Sequence, residues 1–312
     1  MIITLAYIMD IILGDPRWLP HPVKLVGYLA KKLEAILRKL IRDQRTAGII
    51  FAVIIIGAAY AVSFAIIGAA AYYNRYLGFI LSAVFIYTSL AIKDLRVEAM
   101  RVYRALERAD IGLARENLSL IVGRDTTRLD DKDIIRATVE TVAENIVDGI
   151  IAPLFYAFLG GAPLALAYKA ANTLDSTVGY KNERYKDFGW ASARIDDCLN
   201  FIPARLSVFI LPIAGWLAGL DGVGSFKITM RDRRKNPSPN SGIPEAAMAG
   251  ALGVRLGGLN FYNSAATMKP FIGNENNALG LTHIKKSIDV AYVSSLLALI
   301  LGVSIMYIFH VK

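Results

Sequence analysis

Cysteine occurs once in this chain, at Cys198, and histidine three times, at His21, His283 and His310. That scarcity leaves no disulfide framework and no Cys/His zinc constellation and argues against thiol chemistry, so catalysis is expected to fall to carboxylates, amides and cations. There is no P-loop, no GxGxxG opening a helix after a strand, no internal repeat and no low-complexity tract; a nucleotide, if used, is held in another way. Charge is sparse too: 20% of residues are charged against 55% hydrophobic, a balance too apolar for a soluble domain and suited to a polytopic membrane protein. The net charge of +9 does not argue for nucleic acid, because the basic residues are scattered among acids and apolar runs rather than gathered on an aromatic-studded face. The lipid bilayer, with its anionic lipids, and phosphorylated small molecules fit that pattern better.

The runs that charge avoids set the architecture. Residues 46–73 carry no charge over 28 positions and 76–92 none over 17, with only Asn74 and Arg75 between, which predicts a transmembrane hairpin. A plain 20-residue span follows at 290–309. The runs 149–168, interrupted by Gly160, Gly161 and Pro163, and 206–220, interrupted by Pro212, are poor full spans and are expected to be re-entrant or half-buried. Before the hairpin, 24–45 reads as one amphipathic helix with seven basic residues against two acids, a cytoplasmic-face signal. The loop side of the chain is therefore expected in the cytoplasm, including two short surface helices within 93–123. The fold class is all-α: an integral membrane protein with transmembrane helices, re-entrant or half-buried helices and cytoplasmic helical loops. We read one membrane-embedded domain over 1–312, divided into an N-terminal motif and basic helix (1–45), the hairpin (46–92), a motif-rich region (93–220), a basic and Gly/Ala-rich region (221–289) and the last span (290–309).

Polar groups beside a bilayer are costly unless paired or employed, so their density within 125–207 invites a functional reading. Residues 133–148 have helical period, and Glu140, Glu144 and Asp148 recur every four residues in one column. Like charges so placed repel by about 0.2 to 0.5 kcal/mol per pair, which a bound cation or a neighbouring arginine would reverse. Either a solvated face partnered by Lys132 and Arg136 or a site for a hard cation such as magnesium, with the Asn145 oxygen beside it, satisfies this pattern. Next, Lys169, Asn172 and Asp175 share a helical face, and Arg194, Asp197, Asn200 and Arg205 begin the following helix. Ion pairs such as Arg194 with Asp197 account for part of that helix but not for the neutral amides. Near the N-terminus the Pro-rich turn DPRWLPHPV presents Asp15 and His21, with Asp15 as a helix cap the alternative reading. The run PEAAMAGALGVRLGG reads as a small-residue helix suited to close packing.

Five motifs in order carry a resemblance that covers the chain end to end: DxxxGDPxxxPHPV at 10–23, ETVAENIVDGIIAPLFY at 140–156, YKAANTLDSTVGY at 168–180, SARIDDCLNFIPARLS at 192–207 and SPNSGIPEAAMAGALGVRLGG at 238–258. The chain resembles the adenosylcobinamide-phosphate synthase family of cobalamin biosynthesis. Asn236 stands where that pattern has a histidine, and Cys198 where it has an aliphatic residue. The resemblance implies a membrane ligase that uses ATP and magnesium to join adenosylcobyric acid to aminopropanol or its O-phosphate. In its terms Glu140, Glu144, Asp148 and Asp175 are metal oxygens, while Lys169, Arg194 and Arg205 clamp phosphate or corrin carboxylate. Asn145, Asn172, Asp197 and Asn200 would then orient the bound groups, with His21 or Asp15 as base for the amine. A homo-oligomer or a complex with other enzymes of the same biosynthesis is a further expectation. Two rivals stand beside it: a magnesium-dependent membrane transferase, for which the repeated paired-Asp motif is missing, and a corrinoid transporter or sensor, which has no need of so many carboxylates.

Overall fold

The computed structural model describes residues 1–16, 22–179, 182–262 and 265–310. It is 75% helical. Helix α1 (Ile2–Leu13) stops at Gly14, whose φ of 61° is left-handed, and α2 (Pro22–Leu40) begins on a proline, the residue best suited to a first turn. The amphipathic stretch expected to run to Arg45 ends at Leu40 instead, because Asp43 caps the next helix by accepting from the Thr46 N–H at 2.9 Å. Helices α3 (Gln44–Tyr73) and α4 (Arg75–Tyr87) form the hairpin, and Asn74 caps α4 through the Tyr76 N–H at 2.8 Å. Helices α5 (Ile92–Glu107) and α6 (Ile111–Ser119) are the two short helices expected, separated at Ala109 and capped by Asp110.

Helix α7 (Asp131–Ile146) gives way to a π-helical turn over Val147–Ile151, so the regular α-helix expected to Asp148 ends two residues early and Asp148 leaves the four-residue column. Helix α8 (Ala152–Val178) is interrupted at Gly160 and Gly161. Then come α9 (Trp190–Leu199), α10 (Phe201–Leu217), α11 (Gly222–Asp232) and α12 (Gly242–Leu252). The small-residue helix does not continue to Gly258. Gly253 terminates it in the left-handed conformation at φ 66°, and an antiparallel hairpin of β1 (Arg255–Tyr262) and β2 (Ala265–Gly273) follows, a small exception to the all-helical reading. Gly257 and Gly258, at φ 85° and 95°, lie at a register irregularity of β1. Helix α13 (Thr282–His310) closes the chain.

Among the described residues four helical stretches are long and apolar enough to cross a membrane, or up to five if the bent pair α9 and α10 is one span. They are Gln44–Tyr73, Arg75–Glu107, Asp131–Val178 and Thr282–Phe309. Asp131–Val178 thus meets the criterion for a span where the sequence reading favours a re-entrant segment, although its interruption falls at the expected glycines. The chain is a polytopic, largely helical membrane protein.

Contacts divide the chain into two compact units. The first comprises Met1–Ala91, Ala152–Asn200 and Gly302–Lys312. Its core gathers Phe51, Ile55, Leu174, Val178 and Phe188, with the Phe51 and Phe188 rings 5.0 Å apart. Between apolar helices such contacts stabilise by close van der Waals packing rather than by removal of surface from water. The buried Glu34 of α2 accepts from Arg38 at 2.9 Å and Arg184 at 3.3 Å, fastening the 182–189 loop. The break in α8 borders an apolar cavity of about 910 Å³. The second unit comprises Ile92–Ile151 and Phe201–Leu301, with Val102, Leu118, Leu129, Ile134 and Ala137 at its core. There α11 and α12 pack backbone to backbone: a Cβ on Gly250 would lie 2.5 Å from the Gly224 carbonyl oxygen.

Candidate active site

In the first unit, α8 and α9 meet through polar groups set among apolar neighbours. Asn172 Nδ2 donates to Asp196 Oδ1 at 3.2 Å and Asn200 Nδ2 to Asp196 Oδ2 at 3.0 Å. The Tyr168 hydroxyl donates to Asn200 Oδ1 at 2.8 Å, which fixes the orientation of that amide. Tyr168 stacks on Tyr156 at 5.0 Å, and the Tyr156 hydroxyl donates to the Leu199 carbonyl at 2.9 Å, which holds the start of α8 to the end of α9. Lys169 supplies the positive charge that acts on Asp196. Asp175 is half-buried, and Gly179 lies so close over it that a Cβ there would sit 2.0 Å from Asp175 Oδ1.

The hub is Asp196, buried at 8% exposure, whereas the sequence pattern singles out its half-buried neighbour Asp197. One signal does point to it: Asp196 and Asn200 stand four apart on one helical face. Asn172 and Asn200 are in the cluster as expected, Arg194 is exposed, and Asp15 is half-buried just after α1. His21 lies outside the described residues.

The acids of α7, in the second unit, have divergent surroundings. Glu140 is buried and accepts from Arg124 Nη2 at 2.8 Å and from the Gly257 N–H at 2.8 Å. Arg136 stands 3.9 Å away and donates to the carbonyls of Gly257 and Leu259, tying α7 to β1. Neither solvent nor a cation is needed to explain this residue. Glu144, one turn on and half-buried, instead meets the buried Glu245 of α12. Burial first, and then the Glu144 charge, push the Glu245 carboxyl well above the usual range. Asn236 Nδ2 donates to Glu245 Oε2 at 2.9 Å. Asp148 is half-buried in the π-helical turn, and Asn145 donates to the Thr141 carbonyl at 2.9 Å. Arg205 of α10 donates to Asn240 Oδ1 at 2.6 Å, with its guanidinium 3.6 Å from the Phe201 ring centroid. Outside the helices that meet the membrane criterion, Asp232 is fully buried; burial raises its carboxyl, but hydrogen bonds from Arg231, Lys235 and the Gly273 N–H outweigh that and hold it far below the usual range.

Among the described residues no three His, Cys, Asp or Glu side chains are gathered to hold a metal ion. The four acids expected around one cation thus have four different settings. Glu245, the partner of Glu144, escapes a reading of the sequence because it stands about a hundred positions away in a run that reads as apolar.

A sequence model of the family described as CobD/Cbib protein matches residues 3–291. The cobalamin biosynthesis protein CobD of Geobacter metallireducens is 47% identical over 96% of this chain and 95% of its own length. That of Clostridium perfringens is 44% identical over 99% and 98%, and the cobalamin biosynthesis protein CbiB of Salmonella typhimurium is 44% identical over 95% and 94%. No solved structure matches the chain. With a match that begins at the third residue and takes in both polar clusters, the chain belongs to the CobD/CbiB family of cobalamin biosynthesis proteins.

Proposed function

We propose that this protein is an ATP-dependent ligase that joins a carboxylate of adenosylcobyric acid to the amine of aminopropanol or its O-phosphate. The observation that carries this reading, beyond the family, is the cluster around Asp196: a carboxylate held by two amides, beside a lysine, within apolar helices. A carboxylate accepts up to about four hydrogen bonds. With the two amides counted, Asp196 keeps acceptor capacity for the ammonium of the amine donor. Asp15 and His21 remain the candidates to take its proton.

A carboxylate is a poor electrophile, so ATP must first convert it to a mixed anhydride, and cationic side chains must balance the phosphate charge. We assign that role to Lys169 and Arg194. Magnesium, when bound, would neutralise phosphate charge. The oxygen-rich, thiol-free donor set suits such a hard ion, and of the acids expected to serve it Glu144, Asp148 and Asp175 are half-buried, while Glu140 is already committed to arginine and backbone. We further place the polar loops on the cytoplasmic side, where ATP is found.

The test is to supply full-length protein in lipid with ATP, magnesium, the corrinoid acid and either amine donor. Amide formation with release of a nucleotide product is expected. Corrinoid binding without ATP-dependent amide from either donor would instead make this a transporter or sensor. Sidedness is read separately, with a cysteine placed at Asn182 in a Cys198→Ser background: an impermeant thiol reagent should leave intact cells unlabelled, and labelling from outside overturns the cytoplasmic placement.

A further inference from the structure

Glu245 sits in the first turn of α12, a helix whose eleven residues are all buried. A carboxylate in such surroundings is costly unless each oxygen finds a partner. One does: Oε2 accepts from Asn236 Nδ2 at 2.9 Å. Asn236 is itself fixed, because its Oδ1 accepts from the Ser238 N–H at 2.9 Å, so its donor side must face Glu245. The other oxygen, Oε1, is buried and has no hydrogen-bond partner, in a residue only 2% exposed. Helix α7 packs against α12, and the charge of its Glu144 acts on this carboxyl together with those of Glu140 and Lys269. Two ionised carboxylates cannot satisfy each other. Lys269 brings one positive charge to the pair, but Oε1, without a hydrogen-bond partner, leaves a place for a second cation, and Glu144, half-buried, gives the pair a way to solvent.

We propose that Glu144 and Glu245 together bind one divalent cation, magnesium in the cell, with Oε1 of Glu245 as a direct ligand and Asn236 as the residue that aims it. Magnesium typically takes only one or two carboxylates and keeps several waters, whereas calcium wants six to eight oxygens and structural zinc prefers nitrogen and sulfur. A two-carboxylate site therefore agrees with the lack of any three-ligand cluster among the described residues. The assignment rests on the ligase reading only for what completes the shell, the ATP phosphates.

Mn2+ titration followed by electron paramagnetic resonance, on full-length protein in lipid nanodiscs with and without ATP, tests this without relying on turnover. Wild type should bind Mn2+ in competition with Mg2+. Glu245→Gln keeps the shape, can still accept from Asn236 and can donate to Glu144, so it should fold. It should weaken Mn2+ binding by roughly tenfold or more and abolish the Mg2+-dependent rise in Tm, while its metal-free Tm rises. Asn236→Ala should weaken binding less, and Asn236→His should retain it. Mn2+ affinity unchanged in Glu245→Gln, or no Mn2+ bound by wild type even with ATP, overturns the proposal and leaves a carboxyl pair sharing a proton. Amide formation measured in parallel separates the two readings: turnover with unaltered metal binding in Glu245→Gln removes the cation site and keeps the ligase, and Mn2+ at this pair without turnover does the reverse.

Discussion

Glu140 and Asp196 are both buried carboxylates, yet they are satisfied by opposite means. Glu140 is surrounded by cationic and backbone donors: Arg124, the Gly257 N–H and, farther off, Arg136. Asp196 is hydrogen-bonded by the neutral amides of Asn172 and Asn200, with a cation, Lys169, acting on it only through its charge. A guanidinium cancels a carboxylate's charge and fixes a strand to a helix, whereas amides orient a carboxylate and leave its charge in place. The first arrangement suits architecture, the second a ligand of opposite charge.

Removing a charge from each site should separate these roles. The largest effect is expected for Glu140→Gln, which removes the charge that faces the buried Arg124 at 2.8 Å and should cost about 3 to 5 kcal/mol, read as a fall in thermal stability in detergent. Wild-type stability with selective loss of turnover would return Glu140 to the functional set. Asp196→Asn should lower amide formation by about 100-fold or more while leaving unfolding and corrinoid binding near wild type. A mutant that unfolds, or that turns over normally, breaks the contrast from the other side. Asp232→Asn comes next, weakening hydrogen bonds to charged groups by about 1.5 to 3 kcal/mol near neutral pH. Because that carboxyl ionises far below the usual range, its contribution is complete above the range and is lost only as pH falls toward the depressed value. The stability gap between wild type and Asp232→Asn should therefore stay level from neutral to mildly acidic pH and narrow only in strong acid; a gap that closed on going alkaline would contradict it. Asp197→Asn should do least, within about 0.5 kcal/mol of wild-type stability and with turnover far closer to wild type than Asp196→Asn.

Much of the helical frame was legible because its causes are local. A backbone in lipid must satisfy its own hydrogen bonds, so uncharged runs of sufficient length have to be helices, and 46–73, most of 76–92 and 290–309 lie within helices as expected. Asn74 and Asp110 mark helix starts by a side-chain oxygen that reaches its own backbone, as Asp43 does inside the stretch read as one helix to Arg45. The β-hairpin was hidden: its first strand carries Gly257 and Gly258 at an irregular register, so the alternation that announces a strand is broken where it begins.

What sequence alone determined is the set of polar residues beside the bilayer and the faces of α7, α8 and α9 that carry them, since helical period follows from covalent geometry. Which of those residues are committed and which are open was decided only by the tertiary structure. Asp196 rather than Asp197 is buried because α8 brings Asn172 to that side of α9. Glu140 is locked because β1 carries the Gly257 N–H to it from 117 positions away. Glu144 meets Glu245 because α12 packs beside α7, a pairing that no local pattern encodes, since the partner of a buried charge is chosen by packing.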